Sequence, residues 1–206
     1  MRIESLLPPA QPGRAWTLHL EGKQTLRVGE GVVAAFALYQ GMDLDEETLA
    51  ALKQAAQAAR LKETAATLLT GRLLSAGTLR EKLLAKGGAP EQVEAVVAWA
   101  QDIGLLNDEE YAKALARHYQ ARGYGVYKIK DELYRRRVPR EYWEEALAAL
   151  EEPDALIDRF LERKLKDPED RKQVKKAADA LVRRGFTWSQ ASSGIERFRR
   201  NWAESH

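Results

Sequence analysis

Leu83-Leu84-Ala85-Lys86-Gly87-Gly88 returns as Leu133-Tyr134-Arg135-Arg136-Arg137-Val138, and again as Leu181-Val182-Arg183-Arg184-Gly185-Phe186. The leading leucines stand 50 and then 48 residues apart. A period of that length is too long for one helix and suits a multi-helix unit. Tandem helical units build extended binding surfaces more often than buried catalytic pockets.

Working outward, each unit reads as three helices. The first spans Glu63–Leu74, Thr78–Ala85 and Glu91–Gln101. The second spans Asp108–Gln120, Val126–Arg137 and Arg140–Leu150. The third spans Asp154–Leu165, Arg171–Arg184 and Ser189–Asn201. Ser75, Asn107 or Asp108, and Thr187 or Ser189 are suited to cap helix starts, because a short polar side chain can accept an orphan backbone N–H. Pro139, Pro153 and Pro168 fall at the joints, where a missing donor does least harm. Ile129 and Leu133 share one apolar face, and Trp143, Ala146, Leu147 and Leu150 share another, as core packing requires.

The first 40 residues differ. Trp16–Leu20 and Gln24–Val28 alternate like strands around a turn at Glu21-Gly22-Lys23. A further strand near Arg2–Leu7 precedes the loop Pro8–Gly13. Val32–Tyr39 reads as a short helix, and helical spacing resumes after Asp45. The expected fold is therefore mainly α, with a small N-terminal β-hairpin region. The expected boundaries are 1–62 for that region and 63–106, 107–152 and 153–206 for the three-helix repeats.

The chain of 206 residues has no cysteine, which excludes disulfides and thiolate chemistry. No apolar run approaches the roughly 20 residues that span a bilayer, and the N-terminus lacks a signal-peptide core. A soluble cytoplasmic protein is expected. His19, His118 and His206 show no metal-binding spacing, and no phosphate-cradling glycine loop occurs. Neighbouring acids such as Asp108-Glu109-Glu110 point apart on a helix, so they read as helix starts or solvated faces. No enzyme, no metal and no cofactor are expected.

Charge is banded. Residues 111–140 carry nine basic and two acidic side chains, 141–158 carry seven acids and no base, and 159–206 carry thirteen bases against seven acids. Bands this strong polarise a surface. Tyr127, Lys130, Tyr134 and Arg137 fall on one helical stripe, and Lys172, Lys176, Asp179 and Arg183 on another. Arg122, Tyr124 and Lys128 gather near a glycine turn. Such mixtures of rings and cations suit nucleic-acid phosphate or an acidic protein surface. The candidate partner-binding residues are Arg122, Tyr124, Lys128, Lys130, Arg137, Lys172, Lys176 and Arg183.

Arg122-Gly123-Tyr124-Gly125, followed by Lys128-Ile129 and Glu132-Leu133, resembles the signature of the bacterial RecX family. Gly104–Ala112, Ser75–Leu83 and Arg183-Arg184-Gly185-Phe186 are similar to other elements of that family, in the same order along nearly the whole chain. Gly29–Val33 followed by Gly41 looks like its N-terminal stretch. Val126 stands where the family usually has proline, and Thr78 where it usually has an acid. The resemblance implies an elongated, curved array of three-helix repeats. It also implies a protein that binds the RecA recombinase filament and suppresses its ATP hydrolysis and strand exchange; a monomer is expected. Single- or double-stranded DNA is implied as a further partner. A general DNA-binding helical module with no recombinase partner is the alternative.

Overall fold

The computed structural model describes residues 1–11 and 14–205; Pro12 and Gly13 of the expected loop, and His206, lie outside the described residues. The chain divides into two compact units. One is Met1–Leu73 with Leu79–Leu106, and the other is Leu74–Thr78 with the chain from Asn107 onward.

The first unit opens with three antiparallel strands, β1 (Ile3–Leu7), β2 (Trp16–Leu20) and β3 (Gln24–Val28), in that spatial order. Leu18 stands opposite both Leu6 and Leu26, so the period-2 pattern turns the leucines to one face. The connecting turn takes positive φ at Gly22 (+78°) and at Lys23 (+62°), which closes a tight hairpin. Ile3, Leu18, Leu20 and Val28 pack on Val32 of α1 (Glu30–Ala35) and on Leu52 and Ala56 of α2 (Glu46–Leu69). Helical cover is what makes so small a sheet stable.

In α2 the structure departs from the sequence reading. The helix expected over Glu63–Leu74 is instead the C-terminal end, from Glu63 to Leu69, of one 24-residue helix. The Asp45 carboxylate starts it by accepting the Thr48 N–H at 2.7 Å. No glycine or proline then interrupts the run until Gly71, at φ +82°. After α3 (Ala76–Ala85), α4 (Pro90–Asp102) buries Val93, Val96, Val97 and Ala100.

The second unit holds α5 (Asp108–Ala121), α6 (Val126–Arg135), a 3-10 turn (Arg140–Tyr142) and α7 (Trp143–Ala148). It continues with α8 (Pro153–Lys164), α9 (Arg171–Arg183) and α10 (Trp188–Ser205). One core joins Tyr111, Leu115, Ile129, Leu133, Val138 and Ala146. A second joins Ile157, Phe160, Leu161, Leu181, Phe186 and Ile195. The chain is thus mainly helical with a small N-terminal sheet. Asn107 caps α5 by accepting the Glu110 N–H at 3.0 Å. Thr187 caps α10 by accepting from Gln190, whose side chain returns to the Thr187 N–H at 2.9 Å.

Candidate partner-binding surface

The repeated sequence motif is a repeated helix ending. Gly88 donates its N–H to the Leu83 carbonyl at 3.1 Å, Val138 to Leu133 at 3.0 Å, and Phe186 to Leu181 at 3.2 Å. The residue just before each donor has positive φ: Gly87 at +84°, Arg137 at +53° and Gly185 at +90°. This is the Schellman stop, which satisfies the last carbonyls of a helix. Arg137 is the one of the three that adopts it without being glycine. Its position corrects the stripe drawn from sequence: α6 ends at Arg135, and Arg137 lies in the turn beyond it.

In the second unit two of these endings are joints. The carbonyls of Arg184 and Gly185 accept the N–H groups of Gly125 (2.8 Å) and Tyr127 (3.1 Å), at the start of α6. A Cβ on Gly125 would collide with the Gly185 carbonyl, and one on Gly185 would meet Lys128, 2.7 Å from its Cβ. Both positions therefore require glycine. At the other end of α6 the Ser75 and Thr78 hydroxyls donate to the Arg136 carbonyl. A Cβ on Gly77 would meet Arg137 at 2.6 Å. Asp108, 4% exposed, accepts the Ala76 N–H at 2.9 Å. Asp108 is a helix start, as its place in the acidic triplet suggests, but a buried one.

Arg184, which spacing did not single out, organises the first joint. Its guanidinium lies 5.5 Å from the Tyr124 ring centre and 5.2 Å from that of Phe160. It donates to the carbonyls of Arg122 (3.3 Å) and Gly123 (3.2 Å). Only the Arg-Arg-Gly-Phe motif pointed to it. Glu132 is a second missed residue. Its side chain is 4% exposed and lies 2.7 Å from Arg135, 3.5 Å from Lys128 and 3.7 Å from Arg136. Burial pushes its carboxyl up, but the Tyr119 hydrogen bond and the Arg135 and Lys128 charges outweigh this and hold it below the ordinary glutamate value.

The eight candidate residues divide by place. Arg122, Tyr124 and Lys128 gather at the Gly185 joint, where the Tyr124 ring and the Lys128 charge serve the fold. Lys130 is exposed at mid-helix between Tyr127 and Tyr134, which are 59% and 70% exposed. Lys130 has no ion pair among the described residues. Arg137 is exposed at the far end of α6. Lys172, Lys176 and Arg183 are exposed on α9, on one helical face. Arg183 neighbours the joint; Lys172 lies eleven residues earlier, about 16 Å along the axis. Among the described residues no cluster of three or more His, Asp or Glu side chains could hold a metal ion. No helix there is long and apolar enough to cross a membrane.

Comparison with known proteins falls on this same region. The family model for the second three-helix domain of RecX matches residues 107–147, from the cap of α5 into α7. The regulatory protein RecX of Xanthomonas axonopodis pv. citri is 38% identical over 125 residues, which cover 58% of this chain and 75% of that relative. The regulatory protein RecX of Vibrio parahaemolyticus is 32% identical over 139 residues, covering 65% of this chain and 88% of that protein. A crystal structure of regulatory protein RecX superposes with a TM-score of 0.71 at 23% identity, covering 93% of this chain and 97% of the other. RecX from Lactobacillus salivarius superposes at 0.60, covering 69% and 97%.

Proposed function

Because the chain belongs to the RecX family of regulatory proteins, we propose that it regulates a RecA-type recombinase by binding its nucleoprotein filament and suppressing ATP hydrolysis and strand exchange. It acts by occupancy rather than by catalysis. The observation that carries this is the outer face of α6. Two tyrosines more than half exposed flank a lysine with no ion pair among the described residues, on a helix locked at both ends. Exposed aromatic and cationic side chains on a rigid element are what a protein interface uses as anchors. The exposed cations of α9 extend the same chemistry to an acidic partner surface.

We read 63–106, 107–152 and 153–206 as three tandem units, the second and third of which carry this surface, supported by the helix ending that recurs at Gly87, Arg137 and Gly185. The test is recombinase ATPase on single-stranded DNA with the chain added at near-stoichiometric ratio. Inhibition is expected. Undiminished turnover by a cognate recombinase rejects the proposal.

A further inference from the structure

A second basic surface lies in the first unit, far in sequence from the family signature. A cleft of about 840 Å3 opens between β3 and α2. Five cations line it, from four separate segments. Arg14 comes from the β1–β2 connection, Arg27 from β3, Lys53 and Arg60 from α2, and Lys86 from the turn after α3. All five are exposed. None forms an ion pair or a side-chain hydrogen bond among the described residues. The one acid in the lining is Glu63.

Five like charges left unpaired around one concavity raise its potential, because low-dielectric walls focus the field. That arrangement costs folding energy through mutual repulsion and has no structural partner to offset it. We propose that the cleft takes the sugar–phosphate backbone of a single nucleic-acid strand. The spacing supports a polymer over one phosphate. Lys53 and Arg60 lie seven residues apart on one face of α2, about 10 Å along its axis, too far apart to grip one phosphate group. Gln57 and Thr64 continue that face with neutral hydrogen-bonding groups. Among the described residues the lining has no aromatic ring, so the contact is to backbone rather than to stacked bases and tolerates any sequence. Leu26 and Leu61 are the large apolar groups of the lining, and the absence of an aromatic anchor among the described residues argues against an acidic peptide.

This site shares no residue with the α6 face and does not depend on the recombinase reading. The test uses the full chain with no recombinase present. Fluorescence anisotropy follows a labelled deoxythymidine oligomer of about 20 nucleotides across a salt series. The Lys53→Gln, Arg60→Gln double variant is expected to bind more than tenfold more weakly. Its log-affinity against log-salt slope is expected to be shallower by about 1.4, since each lost single-strand phosphate contact removes about 0.7. The Lys164→Gln, Lys166→Gln pair, exposed at and just beyond the end of α8, is expected to bind within twofold of the unsubstituted chain. Circular dichroism and melting of both variants report folding. Four results each overturn the proposal: no binding by the unsubstituted chain at low salt, unchanged affinity in the cleft variant, equal losses in both variants, or displacement of the strand by an equal length of poly-glutamate as readily as by unlabelled oligomer.

Discussion

Tyr127 donates its backbone N–H to the Gly185 carbonyl at 3.1 Å, so the open start of α6 is closed by the open end of α9. Each helix terminus leaves orphan groups, and here one helix's donors meet another's acceptors. The partial positive charge at the start of α6 also faces the partial negative charge at the end of α9. Close approach of two backbones makes this contact, so its cost of disruption is set by sterics.

Gly185→Ala combines a strained φ of +90° with a collision against Lys128. A loss of about 2–4 kcal/mol is expected, seen as a fall in Tm of roughly 5–15 °C. Gly71→Ala is the control. Its φ is +82°, but nothing lies within 4 Å of the added Cβ. It should cost only the backbone strain, about 1 kcal/mol. Equal melting shifts for the two variants would show that the joint does not form.

Arg137 occupies at +53° the place that glycine fills at 87 and 185. Arg137→Gly relieves left-handed strain of about 1 kcal/mol and is expected to raise stability by no more than roughly half of that, because glycine also loosens the unfolded chain. Urea unfolding that shows a lower midpoint in the glycine variant would contradict this.

Glu132 stabilises the fold in its ionised form. Its folded pKa is depressed, so its contribution is present above the ordinary glutamate value of about 4.3 and is lost as pH falls through the lower folded value. Glu132→Gln leaves Lys128, Arg135 and Arg136 without their shared carboxylate. It should cost about 2–4 kcal/mol at pH 7. The variant should also lose less stability than the unsubstituted chain between pH 5 and pH 3, as chemical denaturation at each pH will show.

On the α6 face, Tyr127→Ala with Tyr134→Ala and Lys130→Glu removes exposed groups only. Tm should move by no more than about 3 °C, since surface substitutions are close to neutral. Recombinase inhibition should weaken at least tenfold, read as the concentration needed for half-inhibition of ATPase. Full inhibitory strength in this variant would move the contact elsewhere.

Much of the architecture was legible along the chain. The strands at Trp16–Leu20 and Gln24–Val28 follow from alternation, and Ser75, Asn107 and Thr187 were legible as caps because short polar side chains precede apolar runs there. The extent of α2 was less legible, since a uniform run of Ala, Leu, Lys and Gln carries no internal boundary at Glu63. Among the candidate site residues, Lys130, Lys172, Lys176 and Arg183 are solvent-facing, as their stripes implied. Tyr124 and Lys128 are also tied to structure, through Arg184 and Glu132.

By itself the sequence determined the helix ending that recurs at Leu83, Leu133 and Leu181, because a Schellman stop depends on a few local residues and one positive φ. It also determined the family, through residues whose order along the chain is the evidence. Only the tertiary structure decided that Gly125 faces Gly185, that Glu132 is shared by three cations, and that Arg14, Arg27, Lys53, Arg60 and Lys86 line one cleft. The glycine contact and the cleft join residues tens of positions apart, and the burial of Glu132 comes from packing around its helix, although its cations stand three and four residues away. No local period encodes the glycine contact, the cleft or that burial, since packing of whole elements against one another brings such groups within reach.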